Sequence, residues 1–393
     1  MKDVVIVGLT RTAVGTFGGE IKDVHPADLG ATAIKGVLEQ SGIDKEVVDE
    51  VVMGSVGQYA ENAFIARMCA LRAGIPANGS GAYTVNRLCG SGLQAINNAV
   101  QQIQTNNAEV IIAGGTESMD AFPYYVRKGR YGNKFGHDQL EDGLLTALTD
   151  PFGNYQMGVT AENVANRYNV SREEQDEFAY QSTKKALNAI DNGYFESQIS
   201  PIERKDRKGN VSVFNVDEHP RRNTTLEKLS SLRPAFKENG TVTPGNSSGI
   251  NNGAAALVLM SRDKANSLGL KPIASIKEQA VAGVDPEVMG IAPAPAVKQL
   301  LNKSGLTLEE IDLMELNEAF AAQSLAVIKE LDIDPDKVNV NGGAIALGHP
   351  IGASGGIITV KLIHELKRRG LKRGISTMCI GGGQGIATIF EIE

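Results

Sequence analysis

The sequence predicts an α/β fold made of two related halves, with a large region inserted between them. Two observations lead to this expectation. Short apolar and β-branched runs alternate with amphipathic stretches, which is typical of strands joined by crossover helices. In addition, a segment of the first half recurs in the second half with the same pattern of glycine, lysine and apolar residues.

The alternation is clearest in the first half, where each expected element can be placed from its residue pattern. In chain order we expect a strand at residues 3–7, a helix at 28–41, a strand at 50–53, a helix at 92–103 and a strand at 109–113. Strands that are separated by helices of this length usually lie parallel in a sheet. The pattern therefore predicts parallel strands with crossover helices.

The internal repeat relates residues 35–49, KGVLEQSGIDKEVVD, to residues 298–312, KQLLNKSGLTLEEID. In both copies the helical pattern ends at Ser-Gly, which is typical of a helix C-terminus. The same spacing relates Gly92 to Gly355, and both precede a helical pattern. Chance similarity of two helix–glycine units is the alternative. We expect a first domain at 1–265 and a second at 266–393.

The region at about 120–247 differs in composition from both halves. It is rich in Lys, Arg, Asn, Asp and Gly, and it contains a helical pattern at 172–192. Long insertions of this kind commonly shape a binding site. We therefore interpret it as an inserted region within the first domain that contributes to ligand binding.

Composition narrows the function classes. The chain has 393 residues, of which 42% are hydrophobic and 22% charged, and this is enough for a sizeable core. Its net charge of −7 disfavours a general nucleic-acid binder. No apolar run approaches the ~18 residues of a membrane span, and no signal peptide is expected. Three cysteines with no metal-ligand spacing favour a reduced, cytoplasmic protein without a metal site.

The first candidate for chemistry is Cys89, in the segment NRLCGSG between a strand pattern and a helix pattern. A cysteine at a helix N-terminus lies near free N–H groups that favour a thiolate. A buried apolar cysteine is the structural alternative. The spacing Gly90-x-Gly92-x-x-Ala95 also loosely matches a dinucleotide-binding fingerprint, although it does not follow the first strand of the domain.

The second candidate is His349, which lies in the glycine-rich and alanine-rich run 341–355 before a helix pattern. Small neighbours indicate that a ligand or another backbone packs closely there. Histidine is the natural base near neutral pH, although a lone histidine is more often structural.

The third candidate is Cys379, which follows a strand pattern at 375–378 and lies two residues before the glycine run 381–383. Residues at strand ends facing a glycine loop are placed like active-site residues in α/β folds. The N–H groups of that loop could stabilise an oxyanion. A core cysteine beside a tight turn is the alternative.

The fourth candidate is Asn317, in the segment ELNEAF between a strand pattern and a helix pattern. It could cap the following helix, or it could hold a water molecule and orient the histidine.

Together these segments resemble the thiolase family. The matching motifs are CGSG at Cys89, NEAF at 317–320, GGAIALGHPIGASG at 342–355 and CIGGGQG at 379–385, in that order along the chain. The resemblance implies a thiolase-like α/β fold in which each half has a mixed sheet, with an inserted loop domain. It also implies reversible Claisen condensation of two acetyl-CoA molecules to acetoacetyl-CoA and CoA.

The resemblance assigns each candidate a role. Cys89 would be the nucleophile that carries the acyl group as a thioester, and His349 would accept its proton. Cys379 would move the α-proton of the second acyl-CoA. His349 and a water molecule on Asn317 would stabilise the enolate oxygen, and the N–H groups of Cys89 and Gly381 would stabilise the tetrahedral intermediate.

Further residues match positions that contact the substrate in thiolases. Those expected along coenzyme A are Arg221, Leu232, Phe236 and Ser248, and those expected near the thioester and acyl group are Gln156, Met157, Met289 and Phe320. Gln156 departs from the short-chain members, which usually carry histidine there, so substrate affinity or range is expected to differ. A solvated surface role is the alternative for Arg221.

Other functions are compatible with these residues. Within the same chemistry, the rival is a broader 3-ketoacyl-CoA thiolase of fatty-acid degradation. Outside it, the rivals are a catalytically silent acyl-CoA or lipid carrier that keeps the fold and a dinucleotide-dependent oxidoreductase. By resemblance we expect a homotetramer or homodimer, coenzyme A thioesters as substrates, no permanently bound cofactor and no nucleic-acid or membrane partner.

Overall fold

A computed structural model of the chain describes residues 2–205 and 208–393. The strands are β1 Val4–Arg11, β2 Gly15–Thr16, β3 Glu50–Gly54, β4 Gly81–Val85, β5 Val110–Ser118, β6 Tyr124–Tyr125, β7 Glu141–Asp142, β8 Thr149–Asp150, β9 Tyr155–Gln156, β10 Ile202–Lys205, β11 Val211–Phe214, β12 Asn251–Ser261, β13 Ala274–Gly283, β14 Leu313–Leu316, β15 Arg373–Ile380 and β16 Gln384–Ile392. The α-helices are α1 Pro26–Ser41, α2 Ile65–Ala73, α3 Ser91–Gln104, α4 Gly143–Ala147, α5 Met157–Tyr168, α6 Arg172–Asp191, α7 Leu226–Ser230, α8 Arg262–Ser267, α9 Pro293–Ser304, α10 Ala321–Leu331, α11 Ala344–Leu347 and α12 Ser354–Arg369. Each element expected in the first half is present, with ends shifted by at most five residues.

The main sheet has the strand order β14-β15-β16-β13-β1-β12-β5-β3-β4. The run β3-β5-β12-β1 of the first half is matched by β14-β15-β16-β13 of the second, with the same directions at each pairing. The two halves meet where Val5 and Ile6 pair with Ser275 and Ala274. The predicted relationship between the halves is therefore confirmed in strand order and direction.

The expectation of parallel strands holds for only part of the sheet. Strands β4, β3 and β5 are parallel, as are β14 and β15, but β12 and β16 run antiparallel to both of their neighbours. A three-residue turn joins β15 to β16, and a connection that short permits only antiparallel pairing. The halves are thus mixed sheets, as the resemblance implied.

The core lies in layers on the two faces of the strands. Val4 and Ile6 of β1 pack with α3 and α12, while Val5 and Val7 face α1 and α2 on the opposite side, because successive side chains of a strand alternate. In the second half, one face likewise packs with α12 and α3 and the other with α9 and α10. Helices α3 and α12 therefore lie between the two halves, and the loops before them meet.

The predicted helix ends are confirmed in both halves. Gly42 after α1 has φ 67° and Gly305 after α9 has φ 70°, and each donates its N–H back to the last turn. Glycine tolerates this left-handed conformation because it lacks a Cβ.

The inserted region contains β6 to β11 and α4 to α7. It is tied to β1 by Arg11, whose guanidinium donates to both oxygens of Asp217 at 2.7 and 2.8 Å and to Gln198 at 2.9 Å, all in buried surroundings. No helix among the described residues is long and apolar enough to cross a membrane. We propose the domain division 1–265 and 266–393, which stays a prediction.

Candidate active site

Four segments of the chain meet between the two halves. They are the turn before α3, which carries Cys89; the segment after β14, which carries Asn317; the loop before α12, which carries His349; and the end of β15, which carries Cys379. Burial raises the pKa of Cys379, and the nearby Cys89 raises it further. Cys89 also packs with Ile351, two residues beyond His349. The structure therefore brings all four sequence candidates into one region.

Cys89 is held by a tight turn. Leu88, the residue before it, has φ 43°, an unusual backbone conformation for a non-glycine residue. Helix α3 begins at Ser91, two residues after Cys89. A Cβ on Gly92 would lie 2.9 Å from the Gly356 nitrogen of the second half. The space next to Gly92 is thus filled by backbone, which contradicts the dinucleotide-binding alternative for this motif.

The ionisation of Cys89 differs from the sequence expectation. The N–H of Gly381 hydrogen-bonds to Cys89 and stabilises the thiolate, but burial is the larger effect and raises the pKa of the thiol to about 11. The carboxylate of Glu117 raises it as well. The expectation that the helix N-terminus favours a resting thiolate was therefore wrong, because desolvation outweighs the N–H groups.

We expect a spectroscopic titration to detect this shift. With a pKa of about 11, only about one in a hundred Cys89 thiols should be ionised near pH 9, whereas an unperturbed thiol at ~8.5 would be mostly ionised. The measurement is the ultraviolet thiolate absorbance of the wild type minus that of Cys89→Ala, followed against pH. Half-ionisation below about pH 9 would contradict the dominance of burial.

His349 is buried, and burial lowers its pKa to about 4, so the ring is neutral at physiological pH. Its Nδ1 lies 2.6 Å from the Ser354 hydroxyl, which donates its hydrogen to the Pro350 carbonyl at 2.9 Å. Since a hydroxyl has one hydrogen, Nδ1 must donate to Ser354, and Nε2 carries the lone pair. The geometry therefore leaves Nε2 as a base.

Asn317 does not cap the following helix, which is a correction to one of the two interpretations of its motif. The helix begins at Ala321, with Phe320 at the N-cap position. The Asn317 side chain is buried, and its Nδ2 lies 3.5 Å from Nε2 of His349. Its Oδ1 has no hydrogen-bond partner among the described residues. The amide is thus available to a ligand or water molecule beside the imidazole.

Cys379 is buried in an apolar cluster. The cluster contains Met289 and Phe320, and the partly buried Met157 and Phe236 pack against it. The rings of Phe236 and Phe320 meet edge to face with centroids 6.1 Å apart. The family resemblance assigned Met157, Met289 and Phe320 to the acyl group and Phe236 to coenzyme A, and in the structure all four pack together around Cys379.

A cavity of about 930 Å³ opens beside these residues. Its lining includes the predicted residues Gln156, Met157, Arg221, Leu232, Phe236, Ser248, Phe320 and His349. Arg221 is exposed at this cavity and Gln156 is also exposed, at the start of α5. The volume lies near the top of the ~300–1,000 Å³ range that is typical of small-molecule and cofactor sites.

Sequence reasoning missed several residues around the site. Lys228 lines the cavity together with Arg221, and Asn251 accepts the backbone N–H of His349 at 2.9 Å. Ser354 fixes the tautomer of His349, as described above. The position of Ser354 five residues after the histidine was visible in the sequence, but Asn251 is distant in the chain and had no local signal.

No group of three His, Cys, Asp or Glu side chains in the described ranges is arranged to hold a metal ion. Cys69, the third cysteine, is buried against α1 and lies apart from the site, in the core on the outer face of the first half.

Comparison with known proteins agrees with this geometry. A family model described as thiolase, N-terminal domain, matches residues 4–263, and one described as thiolase, C-terminal domain, matches residues 270–392. The chain is 51% identical over 388 residues to an acetyl-CoA acetyltransferase of Pseudomonas aeruginosa, with 98% of each chain covered.

Two solved structures are also similar over the whole chain. The Bacillus anthracis acetyl-CoA acetyltransferase has a TM-score of 0.98 and 49% identity, with 100% of this chain and 99% of that chain covered. The human mitochondrial 3-ketoacyl-CoA thiolase in complex with CoA has a TM-score of 0.96 and 46% identity, with 100% and 98% covered. The chain therefore belongs to the thiolase family.

Proposed function

We propose that this protein is an acetyl-CoA C-acetyltransferase, which condenses two acetyl-CoA molecules reversibly to acetoacetyl-CoA and CoA. The observation that supports this most directly is the pair of thiols, Cys89 and Cys379, close enough for the charge of one to raise the pKa of the other. Two proton transfers at different atoms need two acid–base groups, and this site has a neutral imidazole and a second thiol beside the nucleophile.

In the first half-reaction, the Cys89 sulfur attacks the thioester carbon of acetyl-CoA while its proton passes to Nε2 of His349. The N–H groups of Cys89 and Gly381 stabilise the negative oxygen of the tetrahedral intermediate. The carbon–sulfur bond to coenzyme A then breaks, and the leaving sulfur takes the proton from His349. The products are acetyl-Cys89 and free CoA.

In the second half-reaction, Cys379 first passes its proton to Nε2 of His349, and the Cys379 thiolate then removes an α-proton from a second acetyl-CoA. The Nε2–H of His349 and a water molecule held by Asn317 stabilise the resulting enolate oxygen. The carbanion attacks the acetyl carbon, the bond to Cys89 breaks, and the Cys89 sulfur takes the proton from Nε2 of His349, while Cys379 keeps the α-proton, so all three groups return to their resting states. The high pKa of Cys379 makes its thiolate a strong base once formed.

Coenzyme A is a substrate here, and we assign it to the large cavity. Arg221 and Lys228 supply positive charge for the phosphate groups of the nucleotide. Leu232 and Phe236 supply apolar contact for the pantetheine arm, with Ser248 and Gln156 as hydrogen-bonding groups. The human relative solved with CoA supports this class of ligand.

The proposal is tested by mixing the enzyme with acetyl-CoA in a single turnover. We expect one CoA released per chain and one acetyl group on Cys89, located by mass spectrometry of peptides, followed by acetoacetyl-CoA. A protein that binds acetyl-CoA without acetylating Cys89 would favour the silent carrier. Binding of NAD(H) at the same cavity would favour the oxidoreductase.

Acyl chain length separates the proposed function from the broader 3-ketoacyl-CoA thiolase, a name that one similar structure carries. The side chains of Met157, Met289, Phe236 and Phe320 fill the space around Cys379, so acetoacetyl-CoA should be cleaved more efficiently than a sixteen-carbon 3-ketoacyl-CoA. The ratio of kcat/KM for acetoacetyl-CoA to kcat/KM for the long substrate should fall by about tenfold in Met289→Ala. This is the size of effect expected when one or two methylene groups are removed from a pocket. A wild-type preference for the long chain would instead establish the broader enzyme.

We also propose that the protein is a cytoplasmic homodimer or homotetramer. Strand β4 lies at the edge of the main sheet, and Tyr131 and Phe135 of the inserted region are 89% and 100% exposed. Unpaired sheet edges and exposed aromatic residues are common sites of association. Both active-site cysteines are free thiols, which suits a reducing compartment. Light scattering after size-exclusion chromatography checks the assembly, and a monomeric mass would contradict it.

A further inference from the structure

We propose that Glu117 is a positioning residue that ties the His349 loop of the second half to the first half, and so sets the imidazole relative to Cys89. Glu117 lies near the end of β5, is 1% exposed and does not line the cavity. The inference rests on the proposed function, because it concerns the distance over which the Cys89 proton moves.

The hydrogen bonds of Glu117 cross between the two halves. Its Oε2 accepts the N–H of Val56 at 2.8 Å, in the segment after β3, and the N–H of Gly352 at 2.9 Å, in the loop before α12. Its Oε1 accepts the N–H of Gly57 at 3.1 Å and the hydroxyl of Ser55 at 3.3 Å. One oxygen atom therefore joins the backbone of the first half to that of the second.

Burying a carboxylate without a cation beside it costs free energy, which indicates that this position needs a carboxylate. Burial raises the pKa of Glu117 to about 7, and the groups that lower it, within the described part of the chain, are four neutral hydrogen-bond donors and no cation. Since the four partners are donors, the carboxylate satisfies each of them when it is ionised, above about pH 7, whereas a glutamine of the same size places an NH2 group against at least one of them.

The link from Gly352 to His349 is short and stiff. Gly352 is three residues beyond His349, and a Cβ on it would lie 2.6 Å from the Cα of Ser55, so the loop backbone lies directly against the first half. Within the loop, Ser354 donates to the Pro350 carbonyl and accepts from Nδ1 of His349. A displacement at Gly352 is thus transmitted to the imidazole through bonded and hydrogen-bonded neighbours.

The experiment uses two variants of Glu117 and one matched control in the full-length enzyme. Glu117→Gln keeps the size but places an NH2 group against N–H donors. Glu117→Asp keeps the charge but is one methylene shorter and cannot reach Gly352. The control is Glu365→Gln, which neutralises another buried glutamate. Glu365 lies on α12, about three turns from the start of that helix, and pairs with Arg368 and Arg369.

The readouts are the single-turnover rate of Cys89 acetylation, the KM for acetyl-CoA and the thermal unfolding midpoint. We expect both Glu117 variants to acetylate about 10- to 100-fold more slowly, as for a misplaced catalytic group, with KM changed by less than about twofold because Glu117 does not line the cavity. The control should keep the wild-type rate.

Several results would overturn the inference. One is a lowered unfolding midpoint with an unchanged rate per folded molecule, which is the result expected of a purely structural residue. Another is a wild-type rate in Glu117→Asp, which would show that the charge matters and the reach does not. If the wild type itself formed no acetyl-Cys89, the proposed function would fail first; a normal wild type with normal variants refutes only the positioning role.

Discussion

Cys89→Ala removes the proposed nucleophile and Cys379→Ala the proposed acid–base group, and each should reduce condensation by about 10 000-fold, but at different steps. Cys89→Ala removes the atom that carries the acyl group, so acetyl-CoA should leave no adduct. Cys379→Ala retains Cys89, His349 and the Gly381 N–H, so acetyl-Cys89 should form and then persist. The difference follows from the separate roles that we propose for the two thiols, with Cys89 as the nucleophile and Cys379 as the base for the α-proton.

The measurement combines peptide mass spectrometry with steady-state rates for both variants. Cys69→Ala is the matched control, because Cys69 is buried in the outer core of the first half, away from the site, and its loss should leave the acetylation of Cys89 unchanged. An acetyl adduct that fails to form in Cys379→Ala would contradict the division of roles, since Cys379 would then be needed before the second substrate enters.

The second large effect concerns stability. Asp217→Ala should lower the free energy of unfolding by about 3–5 kcal/mol, because it leaves the guanidinium of Arg11 buried without its carboxylate. Arg11 is 1% exposed, lies 5.1 Å from the ring centroid of Phe195 and cannot reach solvent without displacing the inserted region. The same change should raise the KM for acetyl-CoA, because Asp217 is four residues from Arg221.

Urea denaturation of the wild type and the variant measures the stability change. Asp191→Ala is the control. Asp191 accepts from the two terminal nitrogens of Arg222, but this pair lies on the exposed surface, where water replaces the lost partner. Equal destabilisation by the two substitutions would contradict the argument, because burial is the property that distinguishes the two pairs.

Much of the site could be predicted from local sequence. Cys89 and His349 each adjoin a glycine and Cys379 lies two residues before one, all near the junction of two elements, and the structure places the three in one region. Gly42 and Gly305 were recognisable as helix ends because a left-handed residue is needed there whatever the rest of the chain does. These signals are local, and a short window of sequence contains them.

Other properties depended on contacts between distant residues. The motif at Asn317 was compatible with a helix cap, and only the structure shows that the helix starts four residues later and that the amide faces His349. The helix N-terminus before α3 suggested a thiolate at Cys89, but burial by the surrounding loops outweighs it. Desolvation depends on every element that covers a group, so no single motif encodes it.

The sequence by itself determined the two-fold repeat, the order of the four motifs and the chemistry of the side chains they carry. The tertiary structure alone decided which nitrogen of His349 carries the lone pair, which thiols are neutral at rest and how Glu117 joins the two halves. The physical reason is range: backbone conformation and helix ends are set by neighbours in the chain, whereas pKa values and hydrogen-bond partners are set by neighbours in space.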